Sequence, residues 1–392
     1  MSFIVPTNWD DELIESIKGL PVTEVFGKLH SDYFGGGRPS LYIPSVRKKT
    51  VPKHIALIHR HGYTFNYLLN TTCMNNEEFS IKGQYTMQRF MEWLIQSGVD
   101  SVTVAIPYLA RWLKKHYPTV KIKASIIANI DTIQKAIYWQ DLGVESMMLS
   151  LDSNRDFTFL ESITKTIKCK VSLIVNLACV RNCIFSQYHY ALGSHASQSS
   201  RRLKGFYIDY CSFFCRYFRL CDPTQIIRSC WIRPEDISYY EDIGIASFKI
   251  VGRILPTDRI IKIVKAYGER NHKGNLLDIL SPFVGQSQFN FEKYARGLKY
   301  LLRPFRINVF HLINLKRATK DNFMYLDNQS LNNFLKGFKN KNCRLMHCDE
   351  CHYCHTVAEN ALRVDETTRD KEKRLYENIL NIIESGKIFR YI

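Results

Sequence analysis

The sequence predicts an α/β protein: a TIM-like (β/α)8 barrel with a small C-terminal helical, cysteine-rich region. Three observations carry that expectation. Short β-branched, apolar segments alternate with longer amphipathic ones through most of the 392 residues, the pattern of parallel strands joined by helical crossovers. Polar residues gather at the C-terminal ends of the apolar segments, where barrel chemistry collects. After GRILPTDRIIKIVKAYGERN the alternation stops, and a helical stretch leads to closely spaced cysteines.

Eight strand candidates follow in order: TEVFGKL, TFNYLLN, SVTVAIP, IKASIIANI, ESMMLSL, KVSLIVNLA, a short one leading into WIRPEDI, and IASFKIVG. Between them, EEFSIKGQYTMQRFMEWLIQSG and IDTIQKAIYWQDLG read as helices stopped by glycine. Asn70, Asn129, Asn176, Arg233, Glu235 and Arg253 close or follow strands and together outline one rim. Each alone also suits a loop cap or turn. A doubly wound open sheet alternates in the same way and is the competing topology. Beyond the barrel, QFNFEKYARGLKYLL continues helically, and TRDKEKRLYENILNIIESGK reads as an amphipathic terminal helix. The chain divides into residues 1–275, the barrel, and 276–392, the helical region.

The apolar and charged fractions, 45% and 23%, are those of an ordinary globular protein. No apolar run approaches the roughly 18 residues of a spanning helix, and MSFIVPTNWDDELIES lacks the features of a secretory signal. A cytoplasmic protein without membrane insertion is expected. The formal charge of +17 is out of the ordinary and favours anionic partners. Basic clusters lie at Arg47–Lys49, Arg201–Lys204, Lys316–Lys320 and Lys336–Arg344, with Phe206, Tyr207, Phe334 and Phe338 interleaved. That mixture suits RNA or another large anion, although lysine and arginine are also routine solubilising residues and no known nucleic-acid module is present.

Eight of the twelve cysteines fall into two groups of four. Cys179 and Cys183 in NLACVRNCIFSQYHY join Cys211 and Cys215 in DYCSFFC; Cys343, Cys348, Cys351 and Cys354 crowd NCRLMHCDECHYC. Thiolates from short loops converge readily on one metal centre. Disulfides need an oxidising compartment, and unreactive buried thiols explain Cys169, Cys221 and Cys230 better than they explain grouped ones. Metal ligation is therefore the reading adopted, iron–sulfur first, with zinc the competitor in the tail. A radical enzyme using S-adenosylmethionine needs a third cysteine after two further residues past a pair, where Ser186 and Phe218 stand.

Near the first group lie His189, His195, Arg201 and Arg202. His189 is a candidate acid or base, though a lone histidine is commonly a structural hydrogen-bonding group. FGGGRPS offers backbone amides and Arg38 to an anion. Arg233, Glu235, Lys249 and Arg253 are candidates to grip a polar substrate; an ion pair that closes the barrel is the alternative role of Arg233 and Glu235.

At NLACVRNCIFSQYHY, DYCSFFC and WIRPEDISYYEDIGIASFKIVGR, the chain resembles the U-thirty-two peptidase family, the collagenase-like proteins. The resemblance extends upstream through FGGGRPS, FNYLLNTTC, GVDSVTVAIPYL and SIIANIDTIQKAIYWQDLGVESMMLS, roughly the first 260 residues. It implies a barrel holding a 4Fe-4S cluster on Cys179, Cys183, Cys211 and Cys215, with Cys73 the first substitute ligand. It further implies oxygen-independent hydroxylation or a related modification, of RNA or a small molecule, with an electron donor as partner. The tail cysteines would hold a second cluster or zinc. The alternatives are a peptidase, or a non-catalytic RNA-binding or electron-transfer partner protein. No Gly-x-Ser-x-Gly elbow and no His-Glu-x-x-His helix supports the former.

Overall fold

A computed structural model describes residues 1–200, 205–283, 306–308, 310–311, 323–339, 341 and 343–389. Eight parallel strands close into a barrel in chain order. They are β1 (Ser2–Pro6), β2 (Val22–Gly27), β3 (Thr64–Leu69), β4 (Ser101–Val104), β5 (Lys121–Ala124), β6 (Ser146–Met148), β7 (Lys170–Ile174) and β8 (Ser247–Lys249). Closure is made by β1 against β8, with Ser2, Phe3 and Ile4 in register with Ser247, Phe248 and Lys249.

Two expectations about the strands are corrected. The first strand is SFIVP, which has four of its five residues buried. The segment leading into WIRPEDI is not a strand: Cys230, Trp231 and Ile232 are fully buried, but its backbone tie to the barrel is a single bond from Ile232 N to Val175 O, just past the end of β7, at 2.8 Å. A run of buried apolar residues gives the same signal in either role.

The helices on the outside are α1 (Asp11–Ser16), α2 (Val51–Arg60), α3 (Ile81–Gln96), α4 (Pro107–His116), α5 (Ile133–Asp141), α6 (Phe157–Thr166), α7 (Ser186–Ser197), α8 (Tyr210–Cys221), α9 (Gln225–Arg228), α10 (Ile237–Glu241) and α11 (Thr257–Gly268). Their starts follow from side-chain caps: Ser80 accepts from Gly83 N, Thr132 from Lys135 N, Asp156 from Phe159 N and Asp209 from Ser212 N. Outward strand residues such as Phe3, Val25, Phe65, Val102, Ile122 and Phe248 form one core with these helices.

The inward residues alternate with them and are largely polar. Asn66 donates to Ser101 Oγ (2.7 Å) and accepts from Thr103 Oγ1 (2.7 Å), while Ser172 donates to Ser247 Oγ (2.8 Å). Glu24 and Lys123 form an ion pair across the interior. Ile4, Phe26 and Leu68 make one small apolar cluster inside, and Met148 and Ile174 belong to a second.

The C-terminal region adds α12 (Lys336–Lys339), α13 (Cys348–Cys351), α14 (Tyr353–Ala361) and α15 (Glu366–Glu384), with an antiparallel pair of β9 (Met324–Leu326) and β10 (Leu362–Val364). Its apolar residues Phe334, Phe338, Ala361 and Tyr376 belong to the same core as the barrel's outer face. Trp231 anchors this seam: it is fully buried, its Nε1 donates to Ile226 O at 2.7 Å, and its ring stacks 5.5 Å from Phe334. Trp231→Ala is expected to remove about 3–5 kcal/mol of stability, read as a lower denaturant midpoint; an unchanged midpoint would show that the seam carries no stability. The stretch QFNFEKYARGLKYLL and the basic cluster Lys316–Lys320 lie outside the described residues, as do Arg201–Lys204.

Candidate functional site

At the C-terminal end of the strands lies a cavity of about 120 Å³. Charged side chains from four places meet in it: the Glu24–Lys123 pair on β2 and β5, Lys249 at the end of β8, Arg253 just beyond, and Arg38 from the glycine loop after β2. Lys249 Nζ sits 3.8 Å from the centre of the Phe26 ring. Burial, with help from Arg253 and Lys123 and against the pull of Glu24, brings its amine down to about 7. Burial and the neighbouring Arg38 also lower the Arg253 guanidinium, to about 10. Its Nη1 is buried without an acceptor.

The glycine loop is shaped to deliver Arg38. Gly35 has φ of +75° and donates to Asp32 Oδ1 at 2.7 Å, and Gly36 N donates to Ser197 Oγ at 2.9 Å, so the loop is clasped to the end of α7. Behind it, Lys28 and Asp32 form a fully buried ion pair, and Tyr67 donates to Asp32 Oδ2 at 2.7 Å.

The first cysteine group stands beside this cavity. Cys179 and Cys183 flank a turn after β7 in which Asn182 takes a left-handed φ of 49° and its N–H donates to Asp152 Oδ1 at 3.1 Å. Cys211 and Cys215 lie one turn apart at the start of α8, on one helical face. The four thiols lie within electrostatic reach of one another. Cys179 is pushed up to about 12, first by burial and then by Cys215, and Cys211 to about 12 by burial, Asp209, Cys183 and Cys215. Burial raises Cys183 as well, again with Cys215 contributing. Tyr190 joins the two halves of the site: it lines the cavity, and burial followed by charge on Cys179 raises its phenol.

All twelve cysteines are free thiols. Among the described residues, no three His, Cys, Asp or Glu side chains close into a finished ion site. The chemistry of the neighbourhood nevertheless fits an anionic thiolate group. Arg219, one turn past Cys215, is 3% exposed, makes no ion pair among the described residues, and keeps its Nε without an acceptor. Its Nη2 donates to Ala178 O, and its charge reaches Cys179 and Cys183. A buried guanidinium without an acid is costly unless anionic charge lies beside it.

The remaining candidates fall elsewhere. His189 pairs with Asp209 at 3.3 Å, tying α7 to the cap of α8 beside the thiols. Arg233 and Glu235 are not at the cavity. Arg233 is 2% exposed and grips Asp236 through Nε and Nη2, both at 2.8 Å, while Nη1 donates to Asn328 O; Glu235 accepts from His272 N (2.7 Å) and Asn328 Nδ2 (2.8 Å). They join the barrel to the C-terminal region, so the anticipated Arg233–Glu235 pair is replaced by Arg233–Asp236. Cys73 is exposed in the loop after β3, where its carbonyl accepts from Gln198 Nε2. Asn70 lines the cavity, whereas Asn176 is fully buried and bonds Val251 and Ile279 as a structural tie. Glu24, Lys123 and Lys28 were not foreseen as site residues. Lys123 stands between Ile122 and Ala124 in a strand, a position that reads equally as a solvent-facing lysine.

No described helix is long and apolar enough to cross a membrane. The chain is similar to an uncharacterized protease of Methanocaldococcus jannaschii, 28% identical over 334 residues that make up 85% of this chain and 87% of that protein. Among solved structures, the U32 peptidase Mk0906 aligns with 64% of this chain and 92% of its own at 18% identity and a TM-score of 0.48. The YdjI aldolase from Escherichia coli K12 aligns with 69% of this chain and 87% of its own at 10% identity and a TM-score of 0.35. A model described as Peptidase family U32 matches residues 33–274.

Proposed function

The chain belongs to peptidase family U32, and on that premise we propose that it is an iron–sulfur enzyme that modifies an anionic substrate without oxygen, by hydroxylation or a related reaction. The observation that carries this reading is the adjacency of four free thiols to a cationic cavity, with Tyr190 and Arg38 electrostatically linked to Cys179. Cys179, Cys183, Cys211 and Cys215 would hold the cluster, which supplies electron transfer or, with an open iron, Lewis acidity.

The protein's own groups have distinct parts. Arg38 and Arg253 attract and orient a negatively charged group at the cavity. Lys249, with an amine near neutrality, gives or takes a proton there. The Glu24–Lys123 pair fixes the floor and balances one of the positive charges. A cavity of about 120 Å³ admits a small substrate or one end of a larger one, such as an RNA base turned out of its stack. With water as the oxygen source, hydroxylation replaces a C–H bond by C–OH and releases two protons and two electrons, so a partner that accepts electrons completes the reaction.

The test is metal content and product formation on anaerobically purified protein. The parent should hold about four irons with acid-labile sulfide at the barrel site, and Cys179→Ala with Cys183→Ala should lose them. Incubation in water with an artificial electron acceptor and RNA or small-molecule extracts, followed by mass spectrometry, should show a product gaining one oxygen. Iron-free protein that cleaves peptides would instead favour the activity after which the family is named. Salt-sensitive RNA binding with no product would favour a binding partner.

A further inference from the structure

The second cysteine group adjoins a buried cation that has no acid. Arg155, between β6 and α6, is 1% exposed. Its Nη1 donates to Ile227 O, while Nε and Nη2 have no acceptor. Among the described residues it makes no ion pair; Asp236, whose carboxyl feels its charge, is already gripped by Arg233. The guanidinium is instead held by aromatic faces, 4.7 Å from the rings of Trp231 and Phe334 and 5.0 Å from Phe338. The sulfurs that interact with it are Cys230 and Cys354.

The other tail thiols have comparable neighbours. Arg181, in the turn between Cys179 and Cys183, donates to Cys343, and its Nε is otherwise buried without an acceptor. Lys341 Nζ donates to Cys351 Sγ at 3.8 Å. Cys354 feels the charges of Cys343 and Cys348. At His352, whose left-handed φ of 50° ends α13, the chain turns into α14 with Cys354 in its first turn; the four sulfurs do not close into a finished ion site, and loading would draw them together.

Neutral thiols leave Arg155 without an anionic partner among the described residues, whereas Arg181 also has the Asp152 carboxylate within reach. Four thiolates around a divalent ion, or around a 4Fe-4S core, carry a net charge of about −2, which compensates Arg155 and adds to the Asp152 charge beside Arg181. We propose that Cys343, Cys348, Cys351 and Cys354 hold a metal–thiolate centre, zinc or iron–sulfur, whose negative charge Arg155 and Arg181 neutralise, and whose loading fastens the C-terminal region to the barrel. This stands independently of the cluster assigned to the first group. Binding replaces the S–H protons by metal and releases them to solvent. Because Arg181 springs from the loop of the first group, the two cysteine groups share one structural wall.

The experiment uses full-length protein, stripped by chelator and then offered zinc(II) alone or, separately, ferrous iron with sulfide and reductant. Metal is quantified, and the C-terminal region is probed by limited proteolysis. In the Cys179→Ala with Cys183→Ala background, an uptake of one zinc or about four irons per chain that is lost on adding Cys351→Ala with Cys354→Ala is the expected result; which offered metal is retained identifies the centre. The stripped parent should be cut within residues 343–389 and regain protection on loading. R155M, which keeps an apolar stem among the rings, should bind the metal 10- to 100-fold more weakly. Equal metal content in parent and tail variant, or loading that leaves the cleavage pattern unchanged, would overturn the proposal. Should the tail variant misfold, stripping and reloading the Cys179→Ala with Cys183→Ala protein, which keeps the tail group whole, gives the same comparison.

Discussion

Lys249→Met is expected to slow turnover sharply while making the fold more stable at low pH. The amine lies at the end of β8 against the Phe26 ring, and burial holds it near 7 against an ordinary 10.5. Between about pH 7 and 10.5 the unfolded chain binds a proton that the folded chain does not, so this group's contribution to stability rises with pH through that window. Below pH 7 both states hold the proton and the full cost of burying the charge applies. Removing the amine should therefore raise the unfolding midpoint most below pH 7, with the gain fading toward pH 10. Loss of a positioned proton carrier costs roughly 10²- to 10⁴-fold in rate. Midpoints measured from pH 5.5 to 9.5, alongside product formation, check both halves. A pH-independent shift, or turnover equal to the parent's, would remove Lys249 from the proton-transfer role.

Gly35→Ala is expected to damage the site through the backbone. At φ of +75° a side chain adds about 1–3 kcal/mol of strain. An added Cβ would also lie 2.6 Å from Ser194 O, a backbone atom that yields only if α7 moves. The loop would lift from α7, taking with it the clasp between Gly36 and Ser197 and displacing Arg38 from the cavity mouth. A melting temperature several degrees lower should accompany weakened binding of anionic substrate. If Gly35→Ala melts with the parent and binds substrate equally well, the clasp is not what positions Arg38.

The barrel was legible because its outward strand positions and its helices obey simple periods. SFIVP escaped notice because a short buried strand at the start of a sequence has no preceding crossover to announce it. Cys230 to Ile232 imitated a strand because complete burial removes the alternation that distinguishes one. The cysteine groups could be seen from spacing, and FGGGRPS from its glycines. The interior charges could not: Glu24 and Lys123 are 99 positions apart, and each meets its partner only when the sheet has curled through four strands. Arg233 and Glu235 follow a buried segment at what reads as a strand end, yet their partners Asn328 and His272 belong to connections that no local pattern foretells.

The joint between β1 and β8 has a consequence for how the molecule comes into being. Ser2 finds Ser247 only after some 245 intervening residues exist, which at ~5–20 residues per second is ~10–50 s of synthesis. During that interval β2 can pair with β1, but the other edge of β1 offers unsatisfied amides and carbonyls to any passing strand. Closing so long a span is entropically slow. The growing chain must therefore survive as an open, curling sheet, and the last barrel strand is the event that seals it.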